Sequence, residues 1–279
     1  MKHSLSVIHP DAQIGNNVHI EPFVTIHKDV VIGDNTWIGS NVVIHDGARI
    51  GEHCRIFPGA VISTIPQDLK FHDEYSTVEI GNYVTIREYV TVNRGTEHRR
   101  TTKIGDFSMI MAYAHVAHDC ILGNHIIVAN AVNMGGHVVI DDWAIIGGMC
   151  AIHQFTKIGK HSIISGGSLV RKDIPPFIKA GREPIAFEGL NIIGLKRRNF
   201  TNESIRELQE IYKVIFNSGL NYSQAIQALE ANFAPSELRE EVISFIRSSD
   251  RGILKAYHHT HSHANGISAA ENEAVDASV

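Results

Sequence analysis

The sequence predicts an all-β solenoid, a left-handed parallel β-helix of hexapeptide repeats with triangular coils, followed by a small C-terminal α-helical domain. Three observations predict this fold class. Aliphatic residues recur with a period of six from Ile8 to Val170, the recurrence stops before Pro175-Pro176, and the apolar residues beyond it follow helical spacing. We therefore expect a β-helix over residues 1–175, helices over 176–256 and a disordered tail over 257–279.

The six-residue period distinguishes the β-helix from other regular structures. Of the 28 positions reached by steps of six from Ile8 to Val170, 25 hold Ile, Leu, Val or Met. An α-helix would give a period near 3.6 and a half-buried strand a period of two. A flat strand that turns a corner every six residues explains the pattern, and three hexapeptides make one 18-residue coil. The left-handed winding is a known property of such repeats and is not visible in the period itself.

The three cysteines, Cys54, Cys120 and Cys150, all lie two positions before a repeat aliphatic, where the other residues are small or β-branched. We therefore expect small core residues there, not nucleophiles or metal ligands. Three cysteines also cannot all pair within one chain, which favours a reducing compartment.

Two polar segments interrupt the repeat, at about 63–75 and 94–103, and the period resumes in register after each. They are therefore predicted to be loops extruded from a corner of the coil, and loops on a rigid scaffold often carry function.

The C-terminal region has the pattern of three helices. Thr201 can cap the first, and Gly219 ends it. A second helix is predicted over about 223–233, and a third follows Pro235-Ser236. The inward residues of the first are predicted to be Ile205, Leu208, Ile211, Tyr212, Ile215 and Phe216, and those of the third Leu238, Val242, Phe245 and Ile246.

Composition excludes several classes of protein. The chain has 279 residues, of which 43% are hydrophobic and 20% charged, with a net charge of −5. This balance argues against a nucleic-acid partner. No apolar run approaches the roughly 20 residues of a membrane span, and the N-terminus lacks the apolar core of a signal peptide.

Polar residues 18 apart must stack on adjacent coils between Ile104 and Val170, where the register is unbroken. None of these residues occupies an inward position of the repeat, so we expect an exposed patch. Its columns are His118, Gly136 and Gln154, then Asp119, His137 and Phe155, with His153 beside them and His115 three residues upstream.

This patch has the groups that general-base catalysis needs. A histidine titrates near neutrality, and an adjacent carboxylate can orient it. The amide of Gly136 could stabilise an oxyanion. Since the sequence lacks a G-x-S-x-G elbow and a P-loop, direct transfer to a hydroxyl deprotonated by histidine is favoured over a covalent intermediate. The simpler alternative is a set of solvated histidines. A convex patch also needs a second wall, for which another copy of the chain is the simplest source, and a triangular prism suggests three copies.

Several motifs resemble one family closely, the UDP-N-acetylglucosamine O-acyltransferases. The likeness runs from residue 1 to about 255. The motifs are Gln67-Asp68-Leu69-Lys70, Asn93-Arg94-Gly95-Thr96, His115-Val-Ala-His118-Asp119-Cys120, Gly136-His137, Ile146-Gly147-Gly148, His153-Gln154-Phe155 and Asn191-Ile-Ile-Gly-Leu-Lys196-Arg197-Arg198.

The resemblance implies a cytoplasmic homotrimer with active sites between subunits. It implies transfer of an (R)-3-hydroxyacyl chain from acyl carrier protein to the 3-hydroxyl of UDP-N-acetylglucosamine, the first step of lipid A biosynthesis. The phosphopantetheine of the carrier protein would be a co-substrate, with no other cofactor and no metal.

The resemblance also implies a role for individual residues. His118 would be the general base, Asp119 its partner and Gly136 the oxyanion donor. Gly166 would leave room for a longer acyl chain. Substrate would be held by Asp68, Lys70, His115, His137 and Gln154, and the uridine diphosphate by His153, Asn191, Arg197 and Arg198. Asn93 is a further substrate-binding candidate, and many members carry histidine at its position. Many members carry glutamate at the position of Ile193.

Three alternatives remain open from the sequence. A hexapeptide-repeat metalloenzyme, such as a γ-type carbonic anhydrase, would bind zinc through His115, His118 and His137. A related UDP-sugar acyltransferase would use a 3-amino sugar, although we expect no uridine-binding domain before a repeat that starts by Ile8. A non-catalytic trimeric scaffold is the third. Metal capture by the tail histidines is a separate hypothesis for His258, His259, His261 and His263.

Overall fold

The structure, a computed structural model, describes residues 2–257, and within them the chain forms a left-handed parallel β-helix followed by four helices. The predicted fold class is confirmed. The tail histidines, and all of the predicted tail except Tyr257, lie outside the described residues.

Twenty-five short strands form the coils. They are β1 Val7–Ile8, β2 Gln13–Ile14, β3 His19–Ile20, β4 Thr25–Ile26, β5 Val30–Ile32, β6 Trp37–Ile38, β7 Val43–Ile44, β8 Ala48–Ile50, β9 Arg55–Ile56, β10 Val61–Thr64, β11 Thr77–Ile80, β12 Thr85–Ile86, β13 Thr91–Asn93, β14 Thr101–Ile104, β15 Met109–Ile110, β16 His115–Val116, β17 Ile121–Leu122, β18 Ile127–Val128, β19 Asn133–Met134, β20 Val139–Ile140, β21 Ile145–Ile146, β22 Ala151–Ile152, β23 Lys157–Ile158, β24 Ile163–Ile164 and β25 Leu169–Val170.

Every third strand belongs to the same sheet, so the coils have three faces. The first face runs from β1 to β25, the second from β2 to β23, and the third from β3 to β24. Neighbouring coils pair in parallel with an offset of 18 residues, as in Val7 with Thr25 and Ile121 with Val139. We call the turn from the first to the second face the first corner, that from the second to the third the second corner, and the remaining turn the third corner.

The repeat aliphatics fill the interior of the coils. Ile38, Ile62 and Ile110 are fully buried, as are nearly all others of their series. Cys54, Cys120 and Cys150 are free and buried in the same core, which confirms the expectation of small core residues. Burial raises the pKa of the Cys120 thiol to about 12, so this thiol is not a nucleophile at neutral pH.

Two connections leave the first corner. Residues 65–76 join β10 to β11, and residues 94–100 join β13 to β14. Pairing continues around both, since Val61 pairs with Thr91 and Thr77 with Thr101. We call them the long loop (65–76) and the short loop (94–100).

The C-terminal region covers the end of the β-helix. Strands β26 Ile178–Gly181, β27 Ala186–Leu190 and β28 Lys255–Ala256 extend the third face, with β26 and β27 antiparallel. The helices are α1 Ile192–Arg197, α2 Asn202–Asn217, α3 Tyr222–Asn232 and α4 Glu237–Arg247. The helical period could not predict this hairpin or the short α1, because neither is long enough to show a period.

The predicted helix α2 is confirmed in detail. Thr201 accepts a hydrogen bond from Ser204 N, and the six predicted inward residues are the buried ones. In α4, Val242, Phe245 and Ile246 are buried as predicted, whereas Leu238 is half-buried. Among residues 2–257 no helix is long and apolar enough to cross a membrane.

Candidate active site

The predicted stack of residues 18 apart is present at the first corner. Strands β16, β19 and β22 keep His115, Asn133 and Ala151 in register. Gly136 therefore lies directly beside His118, and a Cβ at Gly136 would lie only 2.4 Å from His118 Cε1. A glycine is required here because the imidazole ring occupies the space that a side chain would need.

His118 and Asp119 form a hydrogen-bonded pair, with His118 Nδ1 2.9 Å from Asp119 Oδ2. Burial of Asp119 would raise its pKa, but hydrogen bonds from His118 and Thr96 outweigh burial, and the pKa is lowered. Because an ionised carboxylate only accepts hydrogen bonds, Nδ1 carries the proton. In the neutral ring the lone pair is then on Nε2, which is the arrangement of a general base.

The expectation of a solvent-exposed patch is wrong for two of its members. Asp119 is fully buried and His137 is 9% exposed. The short loop covers the carboxylate, since Thr96 and Arg99 both donate to it. The same chain therefore supplies part of the wall that we expected only from another copy.

His137 packs within a group of rings behind this pair. Its ring is stacked on Phe155 at 4.3 Å and meets His118 and His98 edge-on. Its Nε2 lies 3.9 Å from Asp119 Oδ2. Burial lowers the pKa of His137, with Asp119 opposing and His118 adding to the effect. A neutral ring supports the shape of the site without adding a charge beside His118.

The long loop brings Asp68 to the open side of His118. Asp68 Oδ2 lies 3.9 Å from His118 Nε2. Lys70 is exposed on the same loop, and its N–H donates to Asp68 Oδ1 at 3.0 Å. Asp68 therefore borders the free nitrogen of the base, and Lys70 follows it on the loop.

Gly136 also offers an unused donor. Within residues 2–257 its N–H has no hydrogen-bond acceptor, while its carbonyl accepts from Phe155 N at 3.1 Å. Gln154 and His153 are exposed one coil further on, with His153 Nδ1 3.1 Å from Gln154 O. An open N–H beside the base is what stabilisation of an oxyanion requires.

Two predicted substrate residues are largely enclosed. His115 Nδ1 lies 2.7 Å from Thr91 Oγ1, and burial, followed by His118, lowers the pKa of His115. Asn93 is 2% exposed and donates to Thr64 Oγ1 and Ile65 O. Asn93 thus holds the base of the long loop, and its contact with substrate stays a prediction.

Three predicted residues lie at the second corner of the same chain, not at the first. Asn191 caps α1 and donates to His161 O, and Arg198 donates to Trp143 O with its guanidinium 5.2 Å from the Trp143 ring. Arg197 is exposed beside them. One chain therefore does not bring these residues to His118.

Gly166 lies at the third corner, directly against Gly148 of the coil before it. A Cβ at Gly166 would lie 3.0 Å from Gly148 O. Its role in chain length stays a prediction, as do the other assigned roles.

Sequence reasoning missed Thr96 and Arg99 as partners of Asp119, and His98 as a neighbour of His137. Their polar loop has no period, so nothing in the sequence shows which way it folds. The signal that could have found them is the position of the loop, which leaves the first corner one coil before His118.

His118, Asp119 and His137 each offer one ligand atom, and these atoms lie within 4.8 Å of one another. This group differs from the three histidines of the metalloenzyme alternative, because His115 is engaged with Thr91 and a carboxylate takes its place. Nothing in the structure favours that alternative.

Comparisons with known proteins agree on one family. Residues 173–254 match the model for the second domain of UDP-N-acetylglucosamine O-acyltransferases, and residues 29–64 and 101–136 match the bacterial transferase hexapeptide. An acyl-[acyl-carrier-protein]–UDP-N-acetylglucosamine O-acyltransferase of Halorhodospira halophila is 42% identical, covering 91% of this chain and 98% of that protein. Matches to enzymes of the same description from Synechocystis and Gloeothece citriformis span only 63% and 64% of their length.

Solved structures give the same result. A UDP-N-acetylglucosamine acyltransferase from Bacteroides fragilis is 50% identical with a TM-score of 0.90, covering 91% of this chain and all of that one. The enzyme of Francisella novicida is 39% identical with a TM-score of 0.89, covering 91% and 94%. The likeness therefore extends over both the β-helix and the helices.

Proposed function

The chain belongs to the family of acyl-[acyl-carrier-protein]–UDP-N-acetylglucosamine O-acyltransferases, and on that premise we propose that it transfers an (R)-3-hydroxyacyl chain from acyl carrier protein to the 3-hydroxyl of UDP-N-acetylglucosamine. This reaction is the first step of lipid A biosynthesis. The observation that carries the proposal is the His118–Asp119 pair, with its free Nε2 beside Asp68 and the open N–H of Gly136.

The reaction is a direct transfer. His118 Nε2 accepts the proton of the 3-hydroxyl as its oxygen attacks the thioester carbonyl. The carbonyl oxygen becomes an oxyanion, to which Gly136 N–H donates. Collapse of this intermediate breaks the carbon–sulfur bond, and the leaving thiolate of the phosphopantetheine takes the proton back from His118. Asp119 stabilises the imidazolium between these two steps.

The other substrate contacts follow from the family motifs. The sugar, the phosphates or the pantetheine arm is held by Asp68, Lys70, His115, His137 and Gln154, of which Asp68 and His137 lie beside the base. His153, Asn191, Arg197 and Arg198 bind the uridine diphosphate. Since the last three lie at the second corner, a complete site joins the first corner of one copy to the second corner of another. This separation supports a homotrimer with active sites between subunits.

We also propose that the enzyme is cytoplasmic and uses no metal. Its only cofactor-like group is the phosphopantetheine of its co-substrate. Three free, buried thiols suit a reducing compartment.

The experiment incubates the pure protein with UDP-N-acetylglucosamine and a panel of 3-hydroxyacyl carrier proteins, and identifies products by mass spectrometry. We expect a monoacylated sugar nucleotide with an ester at the 3-position, formed at an undiminished rate in the presence of a chelator. No product with any donor would refute the proposed function. A rate that disappears with chelator and returns with zinc would refute the metal-free mechanism.

A further inference from the structure

The short loop surrounds the carboxylate of Asp119 with hydrogen-bond donors. Thr96 Oγ1 donates to Asp119 Oδ2 at 2.6 Å, and the Thr96 and Arg99 amides donate to Oδ1, both at 3.1 Å. His118 Nδ1 completes the set on Oδ2. Both oxygens of a fully buried carboxylate are thus engaged, and the loop supplies every donor except the histidine.

From this geometry we propose that Thr96 is a positioning residue for the reaction: its hydroxyl holds Asp119 in the rotamer that directs Oδ2 at His118 Nδ1. Thr96 acts through Asp119, since its hydroxyl is engaged with that carboxylate and the residue is only 8% exposed. The inference rests on the proposed function, because it assigns Thr96 a part in that reaction.

The loop is fixed well enough to act as a template. Gly95 N donates to Thr77 O at 3.2 Å, and Arg100 N donates to Thr96 O at 2.7 Å. Glu97 N donates to Glu74 Oε1 at 2.9 Å, which ties the short loop to the long one. A Cβ at Gly95 would lie 2.3 Å from Thr101 N, so the tight closure of the loop depends on glycine.

The hydroxyl is needed because Asp119 is buried. A buried carboxylate that lacks donors takes up a proton more readily, since desolvation disfavours its charge. A protonated Asp119 would no longer require Nδ1 as the donor, so the lone pair on Nε2 would no longer be assured. Thr96 is therefore expected to affect the rate of the chemical step and the pH at which Asp119 is ionised.

The test compares Thr96→Val, Thr96→Ser and Thr101→Val in the full-length enzyme. Valine preserves the shape and the backbone donors of Thr96 but removes the hydroxyl. Thr101 is the matched control, because its hydroxyl lies 3.1 Å from Thr77 Oγ1 in the sheet and does not contact Asp119. The measurements are kcat, the KM for each substrate, and kcat as a function of pH.

For Thr96→Val we expect a loss of roughly 10- to 100-fold in kcat, the usual effect of one hydrogen bond to a charged group. Both KM values should stay within about twofold, and the acidic limb of the pH profile should move to higher pH because Asp119 loses a donor. Thr96→Ser and Thr101→Val should match the unaltered enzyme.

The inference is overturned if Thr96→Val keeps the kcat and pH profile of the unaltered enzyme, if its loss lies wholly in KM, or if Thr101→Val loses as much. If Thr96→Val fails to fold, Thr96→Ala is judged by the same criteria. An unaltered enzyme that forms no product refutes the proposed function instead, so the two failures are distinguishable.

Discussion

The first and second corners of the β-helix have the same backbone conformation but different side-chain contacts. Asp119 and His137 at the first corner have φ values of 58° and 63°, and His125 and Trp143 at the second have 56° and 64°. All four residues adopt the left-handed conformation that non-glycine residues seldom take. The conformation is therefore a property of the repeat, and side chains decide what each corner does.

At the second corner these side chains hold the coils together. Rings stack from one coil to the next, as in Phe107 on His125 at 5.0 Å and His125 on Trp143 at 3.8 Å. Beside them, Asp142 Oδ1 accepts from Asn124 N at 2.7 Å, and Asn124 Oδ1 from Asp106 N at 2.8 Å. These side chains therefore stack on, or hydrogen-bond to, the neighbouring coil.

At the first corner ring stacking persists, as in His137 on Phe155, but an extruded loop also contacts the coil. Asp119 accepts from the short loop and from His118, not from the coil below, and His118 Nε2 stays open towards Asp68. A stacking position thus becomes a reactive one when a neighbouring loop engages the carboxylate. Substitutions at the two corners should separate activity from stability.

The largest separation should come from the histidines. His118→Ala should lower kcat by roughly 10² to 10⁴-fold, the contribution of a general base, with the Tm nearly unchanged. The comparison variant is His53→Ala at the second corner, where His53 stacks on Tyr83 at 4.7 Å. It should keep its kcat and lose a little stability. Turnover assays measure kcat, and thermal unfolding measures the stability of each variant. Near-normal turnover of His118→Ala would contradict the assignment of His118 as the general base.

The next effect concerns glycines. Gly136→Ala should lower kcat by roughly 10² to 10³-fold, since its methyl group displaces His118 and disturbs the oxyanion donor. The second-corner comparison is Gly123→Ala, whose methyl would lie 2.9 Å from Asp142 N in the backbone. That variant should lose about 1–3 kcal/mol of stability instead. Equal effects of both variants on kcat and on stability would contradict the division of roles.

The third corner gives a smaller effect, on specificity. Gly166→Met should shift the preferred donor to a shorter acyl chain, because the new side chain occupies room that glycine leaves for the chain. Each excluded methylene loses about 0.8 kcal/mol, so two would change relative kcat/KM by roughly 10-fold. Competition between two donors checks this, with the KM for the sugar nucleotide as the control. An unchanged preference would exclude Gly166 as a length determinant.

The smallest effect is a stability change at the second corner. Burial raises the pKa of Asp141 to about 6, and the charges of Glu241 and Asp142 add to this rise. The charges of Lys160 and Lys157 oppose it. A raised pKa in the folded state means that stability is lost as the pH rises from about 4 towards 6. Asp141→Asn should therefore raise the Tm at pH 8 by roughly 2–5 °C and leave it unchanged near pH 4. An equal shift at both pH values would contradict this assignment.

The period of six made much of this architecture predictable. Ile and Val at every sixth residue require the 18-residue coil, and the coil places Gly136 beside His118. The helical face of α2 followed from its apolar spacing in the same way. These features are local or periodic, so the sequence carries them directly.

What could not be predicted depends on contacts that have no period. The path of the short loop is set by hydrogen bonds from Thr96 and Arg99 to a residue 20 or more positions away. The orientation of α1, which puts Asn191 and Arg198 at the second corner, depends on packing against His161 and Trp143. Neither arrangement leaves a mark in residue spacing.

The central claim is that Asp119 fixes the proton of His118 on Nδ1 and leaves Nε2 free to act as the base. The most direct measurement is ¹⁵N NMR of histidine-labelled protein at neutral pH, with His118→Ala to assign the signals. We predict that the neutral form of the ring carries its proton on Nδ1 and has an unprotonated Nε2. A neutral His118 protonated at Nε2 would contradict the account.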